Sequence, residues 1–133
     1  MQTFNMGQVP PITFGAGRHR KLPDLVRALC GGPVLVIADA ILAEFGVTEK
    51  LTRQLSEEEI PAEIAAEVTG EPKEILVDAL CEQARLVGAK AVVGIGGGAA
   101  MDAAKLVAAI APCNQPAHTF ALAAQPLPKN GLP

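Results

Sequence analysis

The sequence AVVGIGGGAAMD at residues 91–102 predicts a strand, a tight turn and the start of a helix, in that order. Its first five residues are an apolar run, typical of a strand that is covered on both faces. The three consecutive glycines at 96–98 predict the turn. After them, alanines and Val107 recur at helical spacing, which indicates a helix that packs closely on a sheet. Such a unit is half of a βαβ motif.

Two more strands are predicted upstream of this stretch. Residues 34–38 are continuously apolar, as expected for a buried parallel strand. In residues 62–68, apolar side chains alternate with polar ones such as Glu63 and Glu67, which predicts a strand with one solvent-exposed face. Pro61 suits the start of the second of these strands, where no ladder donor is needed. Residues 9–15 suggest a short edge strand and a turn ahead of them.

Three helical patterns separate these strands. The first covers 22–29, with an apolar stripe of Leu22, Leu25, Val26 and Leu29; the second follows a break at Gly46; the third runs from about Pro72 to Val87. Helices that alternate with buried strands predict an α/β fold with a Rossmann-like parallel sheet and helices on both faces. We expect residues 1–111 to form a nucleotide-binding domain, and 112–133, which hold five prolines, to form a connector.

Composition excludes several classes of function. The chain has 133 residues, 50% of them hydrophobic, and a net charge of −3, which argues against disorder and against a nucleic-acid partner. No apolar run reaches the roughly 18 residues of a membrane helix, and residues 1–6 carry no secretory signal. Three cysteines without a C-x-x-C pair favour small buried thiols in the cytoplasm. Two histidines cannot supply a multi-histidine metal site, and we expect no metal ligands in this chain.

The glycine turn is the first candidate binding site. Gly96, Gly97 and Gly98 let the backbone approach a phosphate, and the following helix adds free N–H groups and a positive dipole. A G-x-G-x-x-A match ends at Ala99, but no acid follows Asp102, as the ordinary dinucleotide fingerprint requires. The alternative is a turn whose glycines serve only close packing.

Asp39 is the second candidate, because it directly follows the strand at 34–38. Ligands of parallel sheets gather beyond the carboxyl ends of the strands, so Asp39 and the glycine turn are expected to share one crevice. A carboxylate there accepts hydrogen bonds from ribose hydroxyls and repels a 2′-phosphate. The alternative is a helix N-cap for the segment that starts near Ile41.

This order of acid before glycines resembles the N-terminal domain of the iron-containing (group III) alcohol dehydrogenase family, related to glycerol dehydrogenase and dehydroquinate synthase. The family signature Gly-Gly-Gly-Ser-x-x-Asp-x-Ala-Lys is similar to residues 96–105, with Ala99 in place of the serine. A Phe-Gly-x-Gly opening at 14–17, the strand ending in Asp39 and a Leu-Pro-x-x-Gly-x-Pro segment at 127–133 follow in the family's order. Glu71 precedes Pro72 where many members have asparagine.

The resemblance implies an oxidoreductase, an alcohol dehydrogenase that transfers hydride between an alcohol or aldehyde and NAD. It implies cofactor contacts at Asp39, Ala99, Asp102 and the three glycines, and it places Fe²⁺ or Zn²⁺ on an aspartate and three histidines of a second, helical domain. Those ligands are not in this sequence, so we expect an N-terminal part that is inactive alone. The alternatives are a metal-independent reductase of the maleylacetate type and a non-catalytic nucleotide-binding domain. A homodimer is an open prediction, and no catalytic residue is assigned.

Overall fold

The structure, a computed structural model, describes residues 10–133. It contains three strands and five α-helices: β1 (Val34–Asp39), β2 (Ala62–Val68), β3 (Ala91–Ile95), α1 (Leu22–Leu29), α2 (Ala40–Glu44), α3 (Val47–Glu57), α4 (Glu74–Leu86) and α5 (Gly98–Ile110). Two 3₁₀ helices cover Arg18–Lys21 and Ala117–Ala123. In the described part of the chain, no helix has both the length and the apolarity to cross a membrane.

The strands form one parallel sheet in the order β2-β1-β3. The central strand pairs with both neighbours from its first residue, because Val34 lies opposite Ala62 on one side and Ala91 on the other. Val34 to Ala38 are all buried, as the continuous apolar run predicts. The predicted α/β class and all three predicted strands are therefore confirmed.

Side chains of β1 point alternately into two cores, one on each face of the sheet. Leu35 and Ile37 pack with α4 and α5, while Val34 and Val36 pack with α1, α3 and Ile60. The alanines of α5 are fully buried at Ala100 and Ala103, so the helix lies close to the sheet. Helices on both faces, as predicted, leave the two ends of the sheet as the places where loops can form a site.

In the N-terminal region, α1 spans the predicted residues 22–29, and the predicted edge strand is wrong over the described residues. The apolar stripe of α1 is not buried along its length, since Leu25 and Leu29 remain 57% and 63% exposed and Val26 and Pro23 are the buried residues. Helical spacing indicates that a face is apolar, but not how much of that face has a neighbour. Residues 10–14 form no strand in the described chain; the predicted edge strand begins at Val9, which lies outside the described residues.

Residues 112–133 pack against the domain. Pro112 has no N–H to donate to Ala108 one turn back, and the Ala108 carbonyl instead accepts a hydrogen bond of 2.7 Å from the Leu132 N–H. The Pro133 carbonyl accepts from the Val92 N–H of β3 at 2.9 Å. The segment thus runs along α4 and α5 and returns to the sheet. That residues 112–133 are a connector between domains stays a prediction.

Candidate functional site

The carboxyl edge of the sheet brings the two predicted site elements together. Asp39 is the last residue of β1, and the glycine turn follows β3, its parallel neighbour. The Gly97 N–H donates a hydrogen bond of 2.7 Å to Oδ2 of Asp39. Asp39 and the glycine turn therefore lie side by side, as predicted, and line one cavity. That this cavity binds a cofactor stays a prediction. Asp39 also holds the N-cap position of α2, but its side chain makes no capping hydrogen bond there.

The glycine of β3 and the glycines of the turn serve different purposes. A Cβ at Gly94 would lie 2.7 Å from the Ala104 Cβ, so Gly94 permits close packing of α5. Gly96 has a φ of 142°, and the space of its missing side chain is filled by the Asp39 carboxylate. Gly98 meets no other heavy atom within 4 Å of an added Cβ. Close packing therefore accounts for Gly94, and the open side of the turn lies at Gly97 and Gly98.

The open side coincides with the N-terminus of α5. The first helical hydrogen bond there runs from the Met101 N–H to the Gly97 carbonyl, so the N–H groups of Gly98, Ala99 and Ala100 have no partner within the helix. No acidic residue lies in the first turn, and no side chain of residues 10–133 caps it. These donors and the helix dipole attract an anion, and a phosphate is the common one at such a position.

Two cavities meet at this helix terminus, because both are lined by Gly98 and Ala99. One, of about 520 Å³, lies over Asp39 and is also lined by Ile41, Glu44, Val68, Thr69 and Gly70. The other, of about 680 Å³, lies toward α4 and is also lined by Glu71, Pro72, Asp102, Lys105, Leu106 and Leu127. Together they form a groove across the helix terminus, with two carboxylates in each half: Asp39 and Glu44 in the first, Glu71 and Asp102 in the second.

Sequence reasoning missed Glu44 and Thr69 as part of this groove. Thr69 directly follows β2, and the rule that ligands gather beyond strand ends would have identified it. Glu44 ends α2, the short helix after Asp39, and its position depends on the turn that α2 makes. The sequence pattern contains no signal for that turn.

Asp102 and Lys105, three residues apart on α5, form an ion pair with 3.1 Å between Nζ and Oδ1. Both side chains are mostly exposed, at 64% and 73%, and both line the second cavity. The pair therefore leaves the groove open to solvent and does not close it.

The described residues do not provide a ligand set for a divalent metal. No group of three or more His, Cys, Asp or Glu side chains within residues 10–133 could hold an ion. His19 and His118 are exposed and lie in different 3₁₀ helices. The glycine turn and its groove, in contrast, fit a dinucleotide through free backbone donors and a carboxylate nearby.

Comparisons with known proteins agree with this geometry. A model of the family described as "Iron-containing alcohol dehydrogenase" matches residues 10–133. The chain is 37% identical over 94 residues to glycerol dehydrogenase of Pseudomonas putida (71% of this chain, 25% of that protein). It is 32% identical over 103 residues to long-chain-alcohol dehydrogenase 1 of Geobacillus thermodenitrificans (77% and 26%).

A solved structure of similar fold is that of NADH-dependent butanol dehydrogenase A from Thermotoga maritima. It superposes with a TM-score of 0.85 at 25% identity, over 100% of this chain and 33% of that one. The chain thus spans about a quarter of the length of these two curated relatives and a third of this structure.

Proposed function

The chain belongs to the iron-containing alcohol dehydrogenase family, and we propose that it forms the NAD-binding part of an alcohol dehydrogenase. The observation that carries the proposal is the contact between Asp39 and the Gly97 N–H. It places an acid beside a helix terminus with free donors, within a groove large enough for a dinucleotide. The butanol dehydrogenase of similar fold is described as NADH-dependent, which supports the same cofactor here.

In this proposal the pyrophosphate lies at the N-terminus of α5. The N–H groups of Gly98 and Ala99 donate to its oxygens, and the helix dipole adds a favourable field. Ala99 has no hydroxyl to add, so the backbone supplies these contacts. Gly96 and Gly97 contribute the shape of the turn.

The two halves of the groove then hold the two nucleosides. Asp39 accepts hydrogen bonds from the hydroxyls of the adenosine ribose in the first cavity. Asp102 offers the same hydrogen-bond acceptors in the second cavity, beside the nicotinamide half of the cofactor. The 2′-phosphate of NADP would place additional negative charge beside the carboxylates of Asp39 and Glu44, so NAD is preferred to NADP.

The reaction of the whole protein is hydride transfer between an alcohol or aldehyde and NAD. Nicotinamide supplies the hydride chemistry, and this chain's residues bind and orient it. The family resemblance implies Fe²⁺ or Zn²⁺, but the described residues offer no ligand set, so we derive no step through a metal. Exposed apolar side chains such as Leu25 and Leu29 support a homodimer. Three free cysteines support a location in the cytoplasm.

The test is a titration of NAD and NADP against the wild-type chain, Asp39→Ser and a control, Glu57→Gln. Glu57 ends α3, whose C-terminus leads to the opposite edge of the sheet. We expect the preference for NAD to narrow by about tenfold in Asp39→Ser and to stay unchanged in the control. A wild-type chain that binds neither dinucleotide, or an unchanged preference in Asp39→Ser, contradicts the proposal.

A second measurement separates binding from catalysis. Because the described residues lack a metal-ligand group, we expect the 133-residue polypeptide to form no NADH from short alcohols with added Fe²⁺ or Zn²⁺. Turnover that Gly97→Val abolishes would show a complete site in this chain, and turnover without metal would favour the maleylacetate-type reductase. Binding without turnover by any longer form of the protein would favour a non-catalytic nucleotide-binding domain.

A further inference from the structure

We propose that Asp39 is also a positioning residue, whose carboxylate holds the glycine turn in the conformation that receives the pyrophosphate. That the bound group is a pyrophosphate rests on the proposed function, whereas the hydrogen bond between Asp39 and Gly97 is present in the chain without a ligand. Asp39 thereby has a second role, which recognition of the ribose does not require.

The carboxylate is engaged by the turn, not by the helix that follows it. Its Oδ2 accepts from the Gly97 N–H at 2.7 Å, while α2 receives no side-chain cap from it. The carboxylate also fills the side-chain space of Gly96, whose φ of 142° is a conformation that glycine adopts readily. Asp39 therefore contacts two of the three glycines that give the turn its shape.

Three consecutive glycines have more backbone freedom than any other tripeptide, and fixing them costs conformational entropy. A hydrogen bond to an ionised acceptor is stronger than one between neutral groups, so it offsets part of that cost before the ligand arrives. With Gly97 fixed, the next two N–H groups are those of Gly98 and Ala99, which stand in the first turn of α5 and line both cavities of the groove. The consequence is a turn that is ordered in the absence of cofactor.

The same carboxylate has an opposing effect on an anion, since its negative charge lies close to where the pyrophosphate would bind. Removing the side chain changes both effects at once. Asparagine removes the charge but keeps an acceptor oxygen of nearly the same reach, whereas alanine removes both. The difference between Asp39→Asn and Asp39→Ala therefore measures the positioning role alone.

The first experiment follows amide hydrogen exchange by NMR in the 133-residue chain without ligand. We expect the Gly97 amide to exchange about tenfold faster in Asp39→Ala than in wild type, and Asp39→Asn to restore most of the protection. Glu44→Ala, which removes the other carboxylate of the same cavity, should leave Gly97 unchanged. Unchanged exchange at Val36, in the centre of β1, verifies that each variant is folded.

The second experiment titrates inorganic pyrophosphate, which has no ribose. We expect Asp39→Asn to bind it several-fold more tightly than Asp39→Ala, although both lack the charge. Equal Gly97 exchange in all variants, or measurable but equal pyrophosphate affinity in these two, overturns the positioning role. If no variant binds pyrophosphate or NAD while the exchange pattern holds, the proposed function fails and the structural role of Asp39 stands.

Discussion

The β3–α5 turn is rich in glycine and the segment at 112–133 is rich in proline, yet the conformations of these two regions are specified in different ways. In the turn, neighbours within a few residues predict the conformation, because a buried strand, glycines and an alanine-rich helix follow one another, and a single distant residue, Asp39, adds a hydrogen bond to it. In the segment, the partners are distant: the Ala117 N–H donates to Asp78 on α4, and the Leu132 N–H to the Ala108 carbonyl on α5. Local patterns therefore predict the first region, and only the folded domain specifies the second.

The largest expected effect tests whether the glycines of the turn are interchangeable. Gly94→Ala should lower the free energy of unfolding by about 1–3 kcal/mol, because the added Cβ would lie 2.7 Å from the Ala104 Cβ. Gly98→Ala, the matched control in open space at the first position of α5, should be neutral or slightly stabilising. Chemical denaturation measures both. Equal losses in the two variants would mean that the glycines share one purpose.

The second-largest expected effect tests whether the segment at 112–133 shields α4 from water. Cys81 lies between Asp78, which holds Ala117, and Arg85, whose Nη1 donates to the Ala111 carbonyl. Burial raises the pKa of the Cys81 thiol from 9.0 to about 11, with smaller contributions from Arg85, which lowers it, and from Asp78 and Cys113, which raise it. Between these pH values the unfolded chain loses a proton that the folded chain keeps.

Stability from this thiol is therefore complete below about pH 9 and is lost as the pH rises toward 11. We expect Cys81→Ala to flatten this alkaline decline by up to about 1.4 kcal/mol per pH unit, the value for one proton. Cys30→Ala is the control, since Cys30 lies on the opposite face of the sheet. The measurement is the unfolding free energy at several pH values between 8 and 11. An identical slope in both variants would indicate that the segment leaves Cys81 open to water.

The limits of sequence prediction follow the same division. The strands and the helix after Gly98 were predictable because burial on both faces leaves a continuous apolar run, and helical packing leaves a period. The exposure of Leu25 and Leu29 was not predictable, since an apolar stripe does not specify which element covers it. The shared crevice of Asp39 and the turn followed from parallel topology, but the bond to Gly97 depends on one side-chain orientation. The docking of 127–133 depends on a carbonyl that Pro112 leaves free.

The third effect tests that docking directly. A Cβ at Gly131 would lie 2.8 Å from the Ala108 oxygen and 3.0 Å from the Ala109 Cα, and backbone atoms cannot move aside easily. Gly131→Ala should loosen the segment at a cost of about 1 kcal/mol, the value of a hydrogen bond such as that of the Leu132 N–H. Faster exchange of the Leu132 amide reports the loss. Gly70→Ala, with no atom near the added Cβ, is the control, and equal exchange in both variants would show that the segment is not held there.

The smallest effect on stability is expected at Asp102, which lies on α5 after the turn and lines the groove. Its ion pair with Lys105 is exposed on both sides, so Asp102→Asn should change the unfolding free energy by less than about 0.5 kcal/mol. Asparagine still accepts a hydrogen bond but no longer neutralises Lys105, which lines the same cavity. A free ammonium beside the groove attracts the pyrophosphate, so NAD should bind as well or more tightly at low salt and lose this gain at high salt. Glu82→Gln, on the exposed face of α4, is the charge-matched control for both measurements. A stability loss well above the stated limit would mean that the ion pair also fixes the turn, in addition to the local backbone pattern and the contact with Asp39.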